Sequence, residues 1–215
     1  MRIRNIAILT SKKSWFIPYV HKLVNILREK GCQSKLFFNH RNIGKSFQTT
    51  FILSYFNKID ERFLKKHKHN LVVHESNLPK GRGWAPLSWQ ILEGKKKIPI
   101  VLFEASERID GGGIYIKDYI SYKGNELYPE IREKQAIKTI ELCLRFLKDY
   151  KNIAPLKQRG KPTYYKKRSP EDSRLDIHKS IKDQFNLLRV VSNEEFPAFF
   201  YCKGHKYILR IDKDD

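Results

Sequence analysis

The first apolar run, Ile3 followed by Ile6, Ala7, Ile8 and Leu9, is short, continuous and closed by Thr10-Ser11, which predicts a buried strand. Val20, Leu23, Val24 and Leu27 then recur at three- and four-residue spacing as far as Lys30-Gly31, which predicts an amphipathic helix. Residues 35–38, 50–54 and 71–74 read as further strands, with Asn and Gly punctuating between them. Residues 87–92 read as a helix stopped at Gly94, and residues 98–103 and 114–120 as strands on either side of Gly111-Gly112-Gly113. Ile131, Ile137, Ile140, Leu144 and Leu147 give residues 127–147 the stripe of a long amphipathic helix. Such alternation predicts an α/β fold with a mostly parallel, twisted sheet covered by helices.

The texture changes after about residue 150, where Pro155, Gly160 and Pro162 interrupt a basic, Tyr-rich stretch that reads as a linker arm. Beyond it, Ile181, Phe185 and Leu188 predict a helix, and residues 198–202 and 207–211 flank Lys203-Gly204-His205 as a hairpin. The expected organisation is a catalytic domain over 1–150 and an arm with a helix and β-hairpin appendage over 151–215.

With 40% hydrophobic and 13% aromatic residues in 215, the chain has enough apolar surface to fold, which excludes wholesale disorder. Cys32, Cys143 and Cys202 are odd in number and widely separated, so neither a disulfide framework nor a zinc knuckle is expected. The other histidines, His21, His40, His67, His69, His178 and His205, form no ligand-spaced cluster, and no metal is expected. No apolar stretch approaches the ~18 residues of a membrane span, and the N-terminal run is too short for a signal core. A cytoplasmic location is the expectation.

Forty-three Lys and Arg against 23 Asp and Glu leave a net charge of +20, which favours anionic partners. Residues 65–69, 95–97 and 157–168 are the densest basic segments, and Tyr164 and Tyr165 interleave with the last. Two readings compete: a nucleic-acid-binding protein with a steep salt dependence, or a compositional bias, since Lys, Ile and Asn are abundant along the whole chain.

The segment richest in chemistry runs from Asn70 through His74-Glu75-Ser76-Asn77-Leu78-Pro79 to Gly81-Arg82-Gly83-Trp84, with Asp110-Gly111-Gly112-Gly113 farther on. His74 closes a predicted strand beside a Pro/Gly loop, and Asp110 follows another predicted strand. In open α/β sheets ligands sit at the carboxyl ends of strands, so both are candidates for a reacting rim. Taken singly, a histidine at a strand end is an ordinary hydrogen-bonded rim residue and an Asp before glycines an ordinary turn former.

In register, however, the segment resembles the folate-dependent formyltransferases, whose motif is Asn-x-His-x-Ser-Leu-Leu-Pro, then Arg-Gly, then an Asp-x-Gly loop. His74 to Pro79, Arg82-Gly83, Trp89, Gly94 and Asp110-Gly111-Gly112 match it, and the resemblance covers about residues 50 to 120. It implies a Rossmann-like domain that moves a formyl group from 10-formyltetrahydrofolate to an amine. In that chemistry His74 donates to the oxyanion, while Asp110 orients His74 and accepts the amine's proton through water. Tyr55, Phe56, Asn57 and Lys58, with Glu107, Arg108 and Ile109, are the implied folate-binding residues. The family's Asn, two residues before the histidine, is here Val72, which has no donor. Asn77 in the loop is taken as its replacement and the third catalytic residue; Asn70 is farther away, and loss of activity is the other meaning of Val72.

Among the acceptor branches, the glycinamide ribonucleotide enzymes open with a Gly/Ser-rich phosphate loop, where this chain has Thr10-Ser11-Lys12-Lys13-Ser14-Trp15. The methionyl-tRNA enzymes carry a further C-terminal barrel, for which the residues after the arm are too few. Residues 73–86, 162–173, 184–189 and 196–200 look most like the branch that formylates nucleotide-linked amino sugars for surface polysaccharide such as O-antigen. The implied acceptor is a 4-amino-4,6-dideoxyhexose on GDP, dTDP or UDP, bound through Lys80, Arg82 and Trp84, with no nucleic-acid partner. A homodimer is expected from the resemblance and the hairpin, and hydrolysis of formyl-folate is a rival activity on the same fold.

Overall fold

A computed structural model describes residues 3–214. β1 (Asn5–Leu9) is the strand expected from the first apolar run, and its Ile6 to Leu9 are wholly buried. α1 (Ile17–Glu29) begins with Pro18 in its first turn, where no amide partner is lost, and buries the predicted stripe of Val20, Leu23, Val24 and Leu27. β2 (Gln33–Phe37), β3 (Thr49–Ile52), a one-turn α2 (Glu61–Leu64) and β4 (His69–His74) follow. Then come β5 (Arg82–Gly83), α3 (Pro86–Leu92), β6 (Lys97–Glu104), β7 (Ile114–Ser121) and α4 (Tyr128–Asp149). The chain closes with β8 (Tyr164–Tyr165), α5 (Phe185–Arg189), β9 (Ala198–Cys202) and β10 (His205–Leu209).

Six strands form one sheet in the order β2-β1-β3-β4-β6-β7. The first four are mutually parallel, but β6 pairs antiparallel with β4, and β7 antiparallel with β6. The sheet is therefore mostly parallel, as expected, and the two antiparallel pairings at one edge make it mixed. A buried strand reads the same in either direction, so its apolar run carries no sign of polarity.

Period-two alternation sorts the core into two faces. Ile6, Ile8, Phe51, Leu53, Leu71, Ile100 and Leu102 pack against α1, α3 and α4 on one. Ala7, Leu9 and Ile52 pack against Ile43 and Phe63 on the other, where Val72 is also found. His74, two residues after Val72, shares that second face.

The three cysteines are unpaired, and Cys143 is wholly buried in α4, where desolvation pushes its thiol up. The hairpin forms as expected. The appended helix is shorter than its stripe: Ile181 is exposed and only Phe185–Arg189 is helical. Asp176 Oδ1 and Ser180 Oγ accept the amides of His178 and Asp183, offering the backbone turns in place of helix. No helix among the described residues is long and apolar enough to cross a membrane.

Candidate active site

His74 is the last residue of β4 and is buried, with its ring directed at the loop that follows. Nε2 lies 2.8 Å from Gly81 O. A carbonyl only accepts, so Nε2 carries a proton and His74 is set up as a donor. The same nitrogen is 3.8 Å from Asp110 Oδ2, beyond a hydrogen bond.

Asp110 does not reach His74 from a neighbouring carboxyl end. Because β6 runs against β4, its last residue, Glu104, pairs with Leu71 near the start of β4. The 105–113 loop folds back to carry Asp110 to His74. Gly112 permits the return, since a Cβ there would lie 1.7 Å from Glu104 O. Asp110 itself has φ +48, and its Oδ2 accepts the Gly83 amide at 2.8 Å.

The arm then closes over both loops. β8 pairs in parallel with β5, Arg82 N and Trp84 N donating to Thr163 O and Tyr165 O at 2.9 and 3.2 Å. Gly83, at φ +96, leaves a Cβ only 2.6 Å from Tyr165 O, so the ladder needs glycine there. Thr163 Oγ1 accepts the amide of Gly81, the residue whose carbonyl faces His74. Gln158 donates from Nε2 to both Asp110 O and Gly112 O at 2.8 Å, and its Oε1 accepts from Arg82 Nη2 at 2.6 Å. Tyr165 stacks on Trp89 and donates to Glu93, and burial, with that carboxylate, pushes its phenol up.

The structure thus brings His74 and Asp110 together and adds Gly81 and Tyr165, which the sequence marked only as a loop glycine and an arm aromatic, and Gln158 and Thr163, which pattern reading passed over. The β-forming run Thr163-Tyr164-Tyr165 was the one available signal for an added strand. Arg82 departs from expectation. It is 3% exposed, its Nε and Nη1 have no hydrogen-bond partner among the described residues, and it lies inside the protein rather than on its surface. The exposed Tyr164 feels this guanidinium, which holds its phenol below the usual value, yet no bond of proper geometry forms between them. Lys80 is exposed in the loop.

At the position of the missing amide, Val72 packs with Leu78, Val101 and Phe103. Asn70 is committed elsewhere, its Nδ2 donating to Leu64 O at 2.8 Å. Asn77 is exposed and makes no bond to His74 or Asp110; Lys117 Nζ donates to its Oδ1 at 2.5 Å, leaving the Nδ2 donors without a protein partner among the described residues.

The expected folate residues occupy two loops. Tyr55 bonds His40 Nδ1 through its hydroxyl at 2.9 Å, and Asn57 Nδ2 donates to the same oxygen. Phe56 and Trp84, 51% and 42% exposed, face each other with ring centroids 6.3 Å apart, and Lys167 Nζ lies over Trp84. Glu107, Arg108 and Ile109 are exposed on the returning loop. An open cavity of about 630 Å³ beside Tyr55, Asn57 and Lys58 is also lined by Lys12, His40 and Arg41. No group of three His, Cys, Asp or Glu side chains among the described residues is placed to hold a metal ion.

No protein-family model matches the chain. Solved structures do match it closely in fold. A methionyl-tRNA formyltransferase from Clostridium thermocellum superposes with a TM-score of 0.82 at 22% identity, over 99% of this chain and 94% of that one. A sugar N-formyltransferase from a Shewanella species gives 0.71 at 15% identity, over 98% of each chain. HypX from Aquifex aeolicus, solved with tetrahydrofolic acid, gives 0.81 at 18% identity over 97% of this chain but only 38% of its own. The chain therefore has the formyltransferase fold.

Proposed function

We propose that this protein, built on the formyltransferase fold, transfers the formyl group of 10-formyltetrahydrofolate to the amine of a nucleotide-linked 4-amino-4,6-dideoxyhexose. The observation that carries the reading is the pairing of His74 with Asp110, two residues that the motif alone singles out and that the fold holds 3.8 Å apart. The Nε2–H of His74, held by Gly81 O at 2.8 Å, serves an oxygen gaining negative charge as the amine attacks the formyl carbon only by turning from that carbonyl. Asp110 takes the amine's proton, directly or through water, while a proton returns to the departing folate nitrogen. Asn77 is the candidate second donor, its carbonyl held by Lys117 and its NH₂ uncommitted. Phe56 and Trp84 offer exposed faces to flat heterocycles, and Lys80 a charge to phosphate.

What favours a sugar acceptor is the likeness of the loop and tail sequences to that branch. A second reading, a methionyl-tRNA acceptor, is favoured by the net charge of +20 and by the near-complete match to the clostridial enzyme. Mass spectrometry of GDP-, dTDP- and UDP-linked 4-amino-4,6-dideoxy sugars and of methionyl-tRNA, each incubated with protein and 10-formyltetrahydrofolate, separates them. A formyl mass gain on a sugar is expected. Gain on the tRNA alone replaces the acceptor, and tetrahydrofolate release with no acceptor modified makes the protein a hydrolase. The proposed place of action is the cytoplasm, as a homodimer.

A further inference from the structure

We infer that Gln158 is the positioning residue for Asp110, and that the arm over residues 154–166 completes the reacting pair rather than merely covering it. The inference rests on the formyl-transfer reading only for its kinetic test; the geometry stands apart from it.

Asp110 has φ +48, a left-handed conformation that Asp tolerates better than most residues other than glycine, so its setting depends on what holds the turn. Here both its backbone and its side chain are tied to β5. The side chain takes the Gly83 amide directly. The backbone is tied through Gln158, whose Nε2 donates at 2.8 Å to Asp110 O and to Gly112 O, one residue on either side of Gly111. The orientation of this carboxamide has no ambiguity. Arg82 Nη2 only donates, so Oε1 must face it and Nε2 must face the two carbonyls.

That arrangement explains an otherwise costly feature, a guanidinium buried to 3% exposure with no carboxylate bonded to it. Arg82 holds Gln158, and Gln158 holds the turn that carries Asp110. The adjacent Gly83 holds the carboxylate. Thr163, on the same arm, holds Gly81, whose carbonyl meets His74. Both members of the pair are thus registered against one segment far away in sequence.

Two variants separate the tether from simple packing. Gln158→Glu keeps an acceptor for Arg82, with the unpartnered Nε and Nη1 beside it, but sets an acceptor against two carbonyls. Gln158→Met keeps the bulk and loses every polar contact. In both, kcat for formyl transfer is expected to fall about tenfold or more, with KM for each substrate within about threefold, because the reacting group moves while the binding surfaces do not. Amide hydrogen exchange at Gly83 is expected to quicken in both, as is also expected of Asp110→Ala, and this readout needs no turnover. If Gln158→Glu keeps wild-type kcat and Gly83 protection, the tether is not what positions Asp110, and Arg82 contact or packing is. If wild-type protein formylates nothing, the functional reading fails, and the Gly83 amide alone decides the inference.

Discussion

Gly83 donates its amide to Asp110 Oδ2 at 2.8 Å, and the same oxygen is the one 3.8 Å from His74 Nε2. A single carboxylate oxygen therefore has a structural partner and a chemical one. The two roles separate in Asp110→Asn, whose amide oxygen can keep the Gly83 bond while the charge is gone. Near-native thermal stability is expected, with kcat lower by roughly 10²-fold or more. Circular dichroism melting and steady-state formyl transfer check this, and full activity in the variant would remove Asp110 from the chemistry.

Asn77 and Lys117 make a testable pair in place of the family's strand asparagine. If Asn77 Nδ2 contributes a donor, Asn77→Ala lowers kcat by about 3- to 10-fold, the scale of one partly exposed hydrogen bond. Lys117→Ala, which frees the amide to rotate, is expected to act in the same direction and less strongly. Unchanged kinetics in Asn77→Ala would leave backbone amides or water to meet the oxyanion, since Val72 lies among apolar side chains.

Gly83 also limits what the β5–β8 ladder tolerates. Gly83→Ala combines φ +96 with a Cβ 2.6 Å from Tyr165 O, so either the ladder opens or the backbone strains. A loss of about 1–3 kcal/mol in urea unfolding is expected. Activity should drop with it, because the amide that holds Asp110 belongs to this residue. A fully stable and active variant would show that the arm is not clamped here in solution.

What was legible in the sequence follows from what local pattern encodes. Continuous apolar runs located β1 to β4, β6 and β7, the helical stripes located α1 and α4, and motif register located His74 and Asp110. The mostly parallel sheet was legible, but the antiparallel setting of β6 and β7 was not, and neither was the fold-back of the 105–113 loop, because both are set by pairing partners distant in the chain. Arg82 shows the same limit: a basic residue in a loop reads as exposed until β8 covers it. Gln158 lies in a polar, aperiodic stretch whose contacts are all non-local. A boundary near residue 150 remains our proposal for the folding units, although the arm beyond it contributes to the site.

A buried ion pair ties the C-terminal segment to the head of α4 and gives stability a defined acid dependence. Glu126 Oε1 accepts from Lys123 N and Lys134 Nζ, and its Oε2 from Gly124 N and from Arg189 Nη2 at 3.3 Å. Burial works to raise this carboxyl, but the bonds from Lys134 and the two amides outweigh it and bring it down to about 2 from 4.5. Burial also lowers Arg189, against the attraction of Glu126, yet a guanidinium stays charged wherever the protein is folded. A depressed carboxyl stabilises the fold fully above its unfolded value, so this contribution is complete above pH 4.5 and is lost as pH falls toward 2. Glu126→Gln is accordingly expected to be weaker than wild type by about 3 kcal/mol near neutrality, with the gap narrowing steadily below pH 4.5. Urea unfolding of both proteins from pH 6 to pH 2.5 measures that gap. A gap independent of pH would mean that shape rather than charge at Glu126 holds the C-terminal segment in place.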